Sequence, residues 1–201
     1  MRDQHRFNTK AWLLWTAGFL AFPIGGALAT GATGRINDFG SALLGGLIAG
    51  AVIGTGQWLV ARHLLNPKTW ISATAVAMSI GLGVGAWVVG YGTSLGELAL
   101  MGAITGIPLG AAQAYLLRDR VANAWVWAAA MPLLWALGWT VTTAGGIDVD
   151  RQFAVFGAYG AITFMALSGI LLDRLRATTP VAPGPTVRPV NHERPVATRH
   201  S

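Results

Sequence analysis

Six apolar stretches dominate the chain, and each is long enough to cross a lipid bilayer as a helix. About 20 apolar residues span the hydrocarbon core. None of the stretches contains Asp, Glu, Lys, Arg or His. Because lipid cannot satisfy backbone polar groups, we expect helices, and the predicted fold class is an all-α polytopic membrane protein. The stretches are Ala11–Gly31, Phe39–Ala61, Trp70–Tyr91, Leu98–Leu117, Ala122–Thr143 and Phe153–Leu172.

Composition supports the same assignment. Of the 201 residues, 53% are hydrophobic and 11% are charged, and the mean hydropathy is +0.52. A soluble domain carries about 25% charged residues, so this chain has too few polar side chains to cover a water-facing surface. The nine Trp suit indole rings held at a lipid–water interface. Cys is absent, which excludes disulfides and thiolate chemistry.

Charge divides the chain into a membrane domain and two flanking segments. We expect residues 1–10 to be a cytoplasmic N-terminal segment, 11–176 the six-helix transmembrane domain, and 177–201 a disordered cytoplasmic tail containing Pro and Arg. With the N-terminus inside, twelve Lys and Arg lie on the cytoplasmic side and two, Arg35 and Arg151, on the other. This asymmetry predicts a protein of the inner (plasma) membrane with both termini cytoplasmic.

The first stretch also carries Ala27-Leu28-Ala29, which resembles a signal-peptidase site behind a basic start. Cleavage there would leave five helices. We expect the first helix to be retained because it belongs to the internal repeat of the chain.

This repeat has a period of 56 residues. Ser41–Arg62 aligns with Glu97–Arg118 with seven identities in 22 positions, and the offset continues through Arg6, Arg62, Arg118 and Arg174. The sixth stretch keeps the frame more loosely, with Ala158, Ile162, Ala166 and Gly169 at the repeated positions. Since one period covers two helices, the predicted architecture is three parallel helical-hairpin repeats. A closed six-helix ring and a less regular bundle both fit this pattern.

Glycines and a glutamine mark the repeated helix. The glycines recur at every fourth position, as Gly46, Gly50, Gly54, Gly102, Gly106 and Gly110. Small residues at this spacing let helices approach closely within lipid, so helix packing is their predicted role. Gln57 and Gln113 follow on the same helix faces. They form either an interhelical hydrogen bond or part of a polar path or small-molecule site.

Arginines follow at the same period. Arg62, Arg118 and Arg174 stand at predicted cytoplasmic helix ends. Such residues anchor a helix at the membrane boundary. The alternative is that the three together bind an anionic lipid head group.

Residues that carry catalysis or bind cofactors are missing from the apolar stretches. No carboxylate is present there as a proton relay. The four His lack zinc or haem spacing, and neither a phosphate-binding loop nor a nucleophile elbow occurs. We therefore expect no catalytic residue, no cofactor and no metal site. Basic helix ends explain the pI near 10.8 without a nucleic-acid partner.

The pattern Gly-x3-Gly-x3-Gly-x2-Gln-x4-Arg occurs at Gly46 to Arg62 and again at Gly102 to Arg118. It resembles the repeat of small multi-pass bacterial membrane proteins of uncharacterised activity. The resemblance covers about residues 39–176. It implies a multi-helix membrane domain and no particular activity.

Three functions remain open. The first is a non-enzymatic structural or accessory membrane subunit, whose partners would be membrane lipids and another membrane protein or a second copy. The second is a channel or facilitator for a small neutral or apolar solute. Its path would be lined by Gln57, Gln113, Thr105, Tyr115 and Thr163. The third is a lipid-modifying membrane enzyme, for which no catalytic set can be named.

Overall fold

The computed structural model describes residues 7–147 and 154–177, and nearly all of them lie in helices. Six helices are long and apolar enough to cross a membrane. We number them α1 (Thr9–Thr33), α2 (Phe39–Val60), α3 (Pro67–Val88), α4 (Leu95–Leu117), α5 (Ala124–Ala144) and α6 (Ala158–Ala177). The all-helical fold class is confirmed, and the six helices support a multi-pass membrane protein.

Side-chain caps determine where four of these helices begin. Asn8 and Asn66 accept backbone hydrogen bonds at the starts of α1 and α3. Asp38 and Ser94 begin reciprocal capping boxes before α2 and α4. Each cap satisfies N–H groups that the first helical turn leaves free. As a result, α3 and α4 begin three residues before the apolar stretches that predict them.

A short 3₁₀ turn over Gly18–Leu20 interrupts α1 between its α-helical parts Thr9–Ala17 and Ala21–Thr33. Pro23 explains the interruption, because it has no N–H for the carbonyl four residues earlier and its ring crowds that carbonyl. Pro108 and Pro132 lie inside α4 and α5, which continue as single α-helices. Of these three prolines, only Pro23 therefore lies beside a change from α-helix to 3₁₀-helix.

The helices pack in chain order around a closed ring. Each helix contacts the next one along the chain, and α6 returns to contact α1. Across the described ranges, no backbone contact joins helices that are not neighbours in this order. The two seams made by α6 are the least extensive. Of the two arrangements left open by the sequence, these contacts favour the ring.

One end of the ring carries a cluster of arginines at the ends of α2, α4 and α6, and we call it the basic end. Its members are Arg62, Arg118, Arg120, Arg174 and Arg176. There the backbone N–H of Ala122 donates to the carbonyl of Leu175 at 3.2 Å. This bond ties the α4–α5 connection to the end of α6.

Large side chains fill the centre of the ring. Trp15 on α1 meets Trp127 on α5 with ring centroids 6.3 Å apart. Farther from the basic end, Phe22 on α1 approaches Trp135 on α5 at 6.3 Å and Phe164 on α6 at 5.5 Å. All five side chains are buried. The ring thus encloses a packed core.

The start of α6 differs from the prediction. The sixth apolar stretch predicts helix from Phe153, which lies outside the described residues, yet Ala154–Gly157 is not helical. Ala154, Val155 and Phe156 are all buried. A helix at the rim of a ring turns successive side chains to different sides, so an irregular segment is needed to bury three in a row. Burial of Phe156 against Trp135, at 4.9 Å between centroids, favours this path.

The glycine stripes lie at helix seams within the chain. On α2, a Cβ at Gly46 would lie 2.7 Å from the Met78 carbonyl oxygen of α3, and one at Gly50 2.8 Å from the Ala75 Cα. Gly54 faces α3 in the same way, and Gly102, Gly106 and Gly110 of α4 face α5. Only hydrogen fits at the tightest of these positions.

Several sequence-based predictions fall outside the described residues. They concern most of the N-terminal segment, the outer loop around Arg151, and residues 178–201 of the predicted tail. These remain predictions.

We expect Gly106→Ala to destabilise the protein. Its Cβ would stand 2.5 Å from the Cα of Pro132, and overpacking a tight contact costs about 1–3 kcal/mol. Gly96→Ala, on the same helix, is the control because its Cβ would meet nothing within 4 Å. Denaturant titration of the purified protein measures the free energy of unfolding of both. Equal stability of the two variants would contradict the close approach.

The cap of α2 predicts a pH dependence outside the membrane-spanning segments. Hydrogen bonds from the backbone N–H and then the hydroxyl of Ser41 lower the pKa of Asp38 below its ordinary 3.8. A depressed folded-state pKa stabilises the fold above the unfolded value, and this contribution is lost as the pH falls through the folded value. Carboxyl titration by NMR should show the lowered pKa, and Ser41→Ala should raise it. Because Ser41→Ala keeps the backbone N–H, the rise should be partial, and an unchanged pKa would refute the contribution of the hydroxyl.

Candidate functional site

Gln57 and Gln113 meet in the interior of the ring near the basic end. The Nε2 of Gln113 donates to the Oε1 of Gln57 at 3.3 Å. Both side chains are at most 1% exposed. Their helices, α2 and α4, share no backbone contact, so the two amides reach each other across the core.

Two indoles and a hydroxyl extend this pair into a polar network. Trp70 on α3 donates from Nε1 to Gln57 Oε1 at 3.1 Å, and Trp127 on α5 donates to Gln113 Oε1 at 3.1 Å. The Oγ1 of Thr74 accepts from Gln113 Nε2 at 3.2 Å. The Gln113 amide thus has a partner for its oxygen and one for each of its two N–H groups.

The indoles also fix how the two amides are turned. An indole N–H can only donate, so the glutamine atom that faces it must be the oxygen. The Nε2 of Gln113 is then left to donate to Gln57. The direction of the bond between the two glutamines therefore follows from the positions of Trp70 and Trp127.

Two further indoles occupy the corresponding place between α6 and α1. Trp15 donates from Nε1 to the Oγ of Ser168 at 3.0 Å, and Trp12 donates to the carbonyl of Ala166 at 2.9 Å. At Gly169, where the sequence repeat has glutamine in α2 and α4, a Cβ would lie 2.8 Å from Trp15 and 3.0 Å from Trp12. These two indoles leave no space for a side chain there.

The tryptophans are distributed differently from the sequence-based interpretation. Indoles at a lipid–water interface would be partly exposed, yet five of the nine are buried in the core: Trp15, Trp70, Trp127, Trp135 and Trp139. Interface anchoring therefore applies to at most the other four. The buried ones serve as hydrogen-bond donors or as aromatic packing.

The polar network and the aromatic core differ in how well their polar atoms are satisfied. Nearer the opposite end, Trp135 and Phe156 pack with Phe22 and Phe164. Here the Nε1 of Trp135 and the Oγ1 of Thr142 are buried with no hydrogen-bond partner among the described residues. Ring packing dominates this region, whereas hydrogen bonds dominate the network.

The residues predicted to line a solute path do not come together. Thr105 is buried, and its hydroxyl donates to the Met101 carbonyl of its own helix at 2.8 Å. Tyr115 is 64% exposed on the outer surface, and Thr163 donates to Tyr159 on its own helix at an exposed site. Of the five residues, only Gln57 and Gln113 are in contact.

The three repeated arginines have different surroundings. Arg62 lines a cleft of about 470 Å³ between α1, the end of α2 and α6. Arg118 stacks on the Tyr115 ring at 3.8 Å and donates to the Tyr115 carbonyl at 2.7 Å. Arg174 is exposed in the last turn of α6 and does not line the cleft. Within the described ranges, no group of three or more His, Asp or Glu could hold a metal ion.

Sequence reasoning missed the partners of the glutamines. Trp70 and Trp127 follow their glutamines by 13 and 14 residues, the distance across a hairpin turn. That similar spacing is the signal that could have identified them. Thr74 and Ser168 carry no comparable signal.

A double-mutant cycle on Gln57→Leu and Gln113→Leu should show coupling. Each single change leaves an indole N–H and the other amide short of a partner, so the double variant loses less than the sum. Interhelical hydrogen bonds in membranes average about 0.6 kcal/mol with a maximum near 1.7, which sets the expected coupling. Gln113→Leu paired with Thr163→Ala is the control and should be additive. Additive unfolding free energies for the two glutamines would exclude the network as a stabilising unit.

No known protein family, curated protein or solved structure matches the chain.

Proposed function

We propose that this chain is a non-enzymatic structural or accessory subunit of the inner (plasma) membrane, with both termini cytoplasmic. Six apolar helices support the membrane location. The excess of Lys and Arg on one side of the sequence-based topology supports the orientation. The partner in this proposal is another membrane protein.

The observation that carries the proposal is that every polar atom of the Gln113 amide already has a hydrogen-bond partner. Its oxygen and both N–H groups are already bound to Trp127, Gln57 and Thr74. A solute crossing the ring would have to break these bonds and separate the packed rings of Trp15 and Trp127. A core held in this way suits a rigid body that presents its outer surface to lipid and to a partner.

The repeat fits this role. Each of the acceptors Gln57, Gln113 and Ser168 receives an indole N–H from the next helix around the ring. Three similar interhelical contacts are what three related hairpins would form, and they support the proposed hairpin architecture. Their common effect is to fasten helix to helix.

Purification from the native membrane in mild detergent, followed by native mass spectrometry, tests the proposal. We expect a second membrane protein at fixed stoichiometry. The decisive contrary result is an isolated chain or homo-oligomer that increases solute uptake into liposomes, with the increase lost in the Gln57→Leu/Gln113→Leu variant. That result would assign the network to a facilitator.

A further inference from the structure

Two clefts on the outside of the ring meet at Leu59 and Val60, near the end of α2. The first is the cleft of about 470 Å³ that opens at the basic end between α1, α2 and α6. The second, of about 460 Å³, follows the seam between α1 and α2. Each volume lies in the range of about 300–1,000 Å³ that is typical of ligand sites.

The first cleft is charged. Arg62 and Arg176 line it together with His63 and Asp173. Neither arginine forms an ion pair with a described residue. Two guanidinium groups against one carboxylate leave this rim positive, and guanidinium groups bind phosphate through paired hydrogen bonds.

The second cleft is apolar. Its walls are Leu20, Ile24 and Leu59, each more than half exposed. The hydroxyl of Thr55, which also lines it, is bound to the Ala51 carbonyl at 2.8 Å and adds little polarity. From Ala51 to Leu59 the groove extends about 12 Å along α2.

We propose that the joined clefts bind one anionic phospholipid. Its phosphate lies between Arg62 and Arg176, and one acyl chain follows the groove between α1 and α2. The charged cleft joins the apolar groove at Leu59 and Val60. In the same way, the charged head group of a phospholipid is joined to its apolar acyl chains. The inference rests on the proposed membrane location and does not require a protein partner.

The second hairpin supplies an internal control for this site. Arg118 stands one period after Arg62, but its guanidinium lies over Tyr115 and 3.6 Å from the Asp119 carboxylate. The cleft lined by Arg120 nearby holds only about 70 Å³. The same arginine position thus has a ligand-sized cleft in one hairpin and an internal partner in the next.

The test uses the full chain in detergent with phosphatidylglycerol or phosphatidylcholine of identical acyl chains, read by native mass spectrometry. We expect one retained phosphatidylglycerol, preferred over phosphatidylcholine by roughly tenfold or more, since each arginine near a membrane surface attracts anionic lipid. The Arg62→Gln/Arg176→Gln variant should lose the preference, and Arg118→Gln should keep it. All three substituted arginines are exposed, so the variants should fold. A size-exclusion profile equal to that of the unmodified chain checks this.

A second variant tests the groove. Ala51→Phe fills the apolar cleft and should reduce retention of phosphatidylglycerol while leaving the arginines in place. Excess glycerol 3-phosphate, which has no acyl chain, should fail to displace the lipid. An unchanged preference in Arg62→Gln/Arg176→Gln, an equal loss in Arg118→Gln, or displacement by glycerol 3-phosphate would each overturn the site. Because the isolated chain is measured, failure here is separate from failure to find a protein partner.

Discussion

Close contact between helix backbones is the constraint from which the rest of this structure follows. At Gly46, Gly50, Gly102 and Gly106, the place of a Cβ is within 3 Å of an atom of the neighbouring helix. Helices in lipid gain nothing from hiding apolar surface, so van der Waals contact must hold them together. The glycine seams supply that contact. They also determine how far apart the adjacent helices stand, and hence which side chains can meet in the core.

The polar network depends on those seams. Gln57 and Gln113 follow directly after the glycine stripes, so their amides enter the core where α2 and α4 are held against α3 and α5. Unpaired amides would be costly in an apolar interior. The indoles of Trp70 and Trp127 remove that cost and also determine the direction of the bond between the amides. Packing and hydrogen bonding thus specify the same arrangement.

The fold class and the approximate helices could be predicted from the sequence, because twenty uncharged apolar residues permit few structures in lipid. The helix starts at Pro67 and Leu95 lay beyond the apolar stretches, since polar caps placed them there. The sequence predicts helix before Ala158, but residues 154–157 are irregular, which allows Phe156 to be buried. The caps act between residues three positions apart, which a hydropathy pattern does not register. The burial of Phe156 depends on a neighbour distant in the chain, Trp135.

The candidate site was predictable in part. The spacing from the glycines indicated that Gln57 and Gln113 each face a helix interface, but not that they reach each other across the core. Their tryptophan partners were hidden because an excess of Trp in a membrane protein suggests interface anchoring. The different surroundings of Arg62 and Arg118 were equally hidden, because the repeat places both at the same register. A sequence repeat predicts equivalent positions on the helices, but it does not predict which side chains surround each of them.

The sixth helix has Ala158, Ile162 and Ala166 where α2 and α4 carry glycine, and its seams are the least extensive in the ring. A ring built of three equal hairpins would have three interchangeable sides. Because α6 has the least extensive contacts with its neighbours, the side of the ring that contains it differs from the other two. A neighbour that recognised this side would bind at one place on the circumference of the ring, so only one such neighbour would fit per ring.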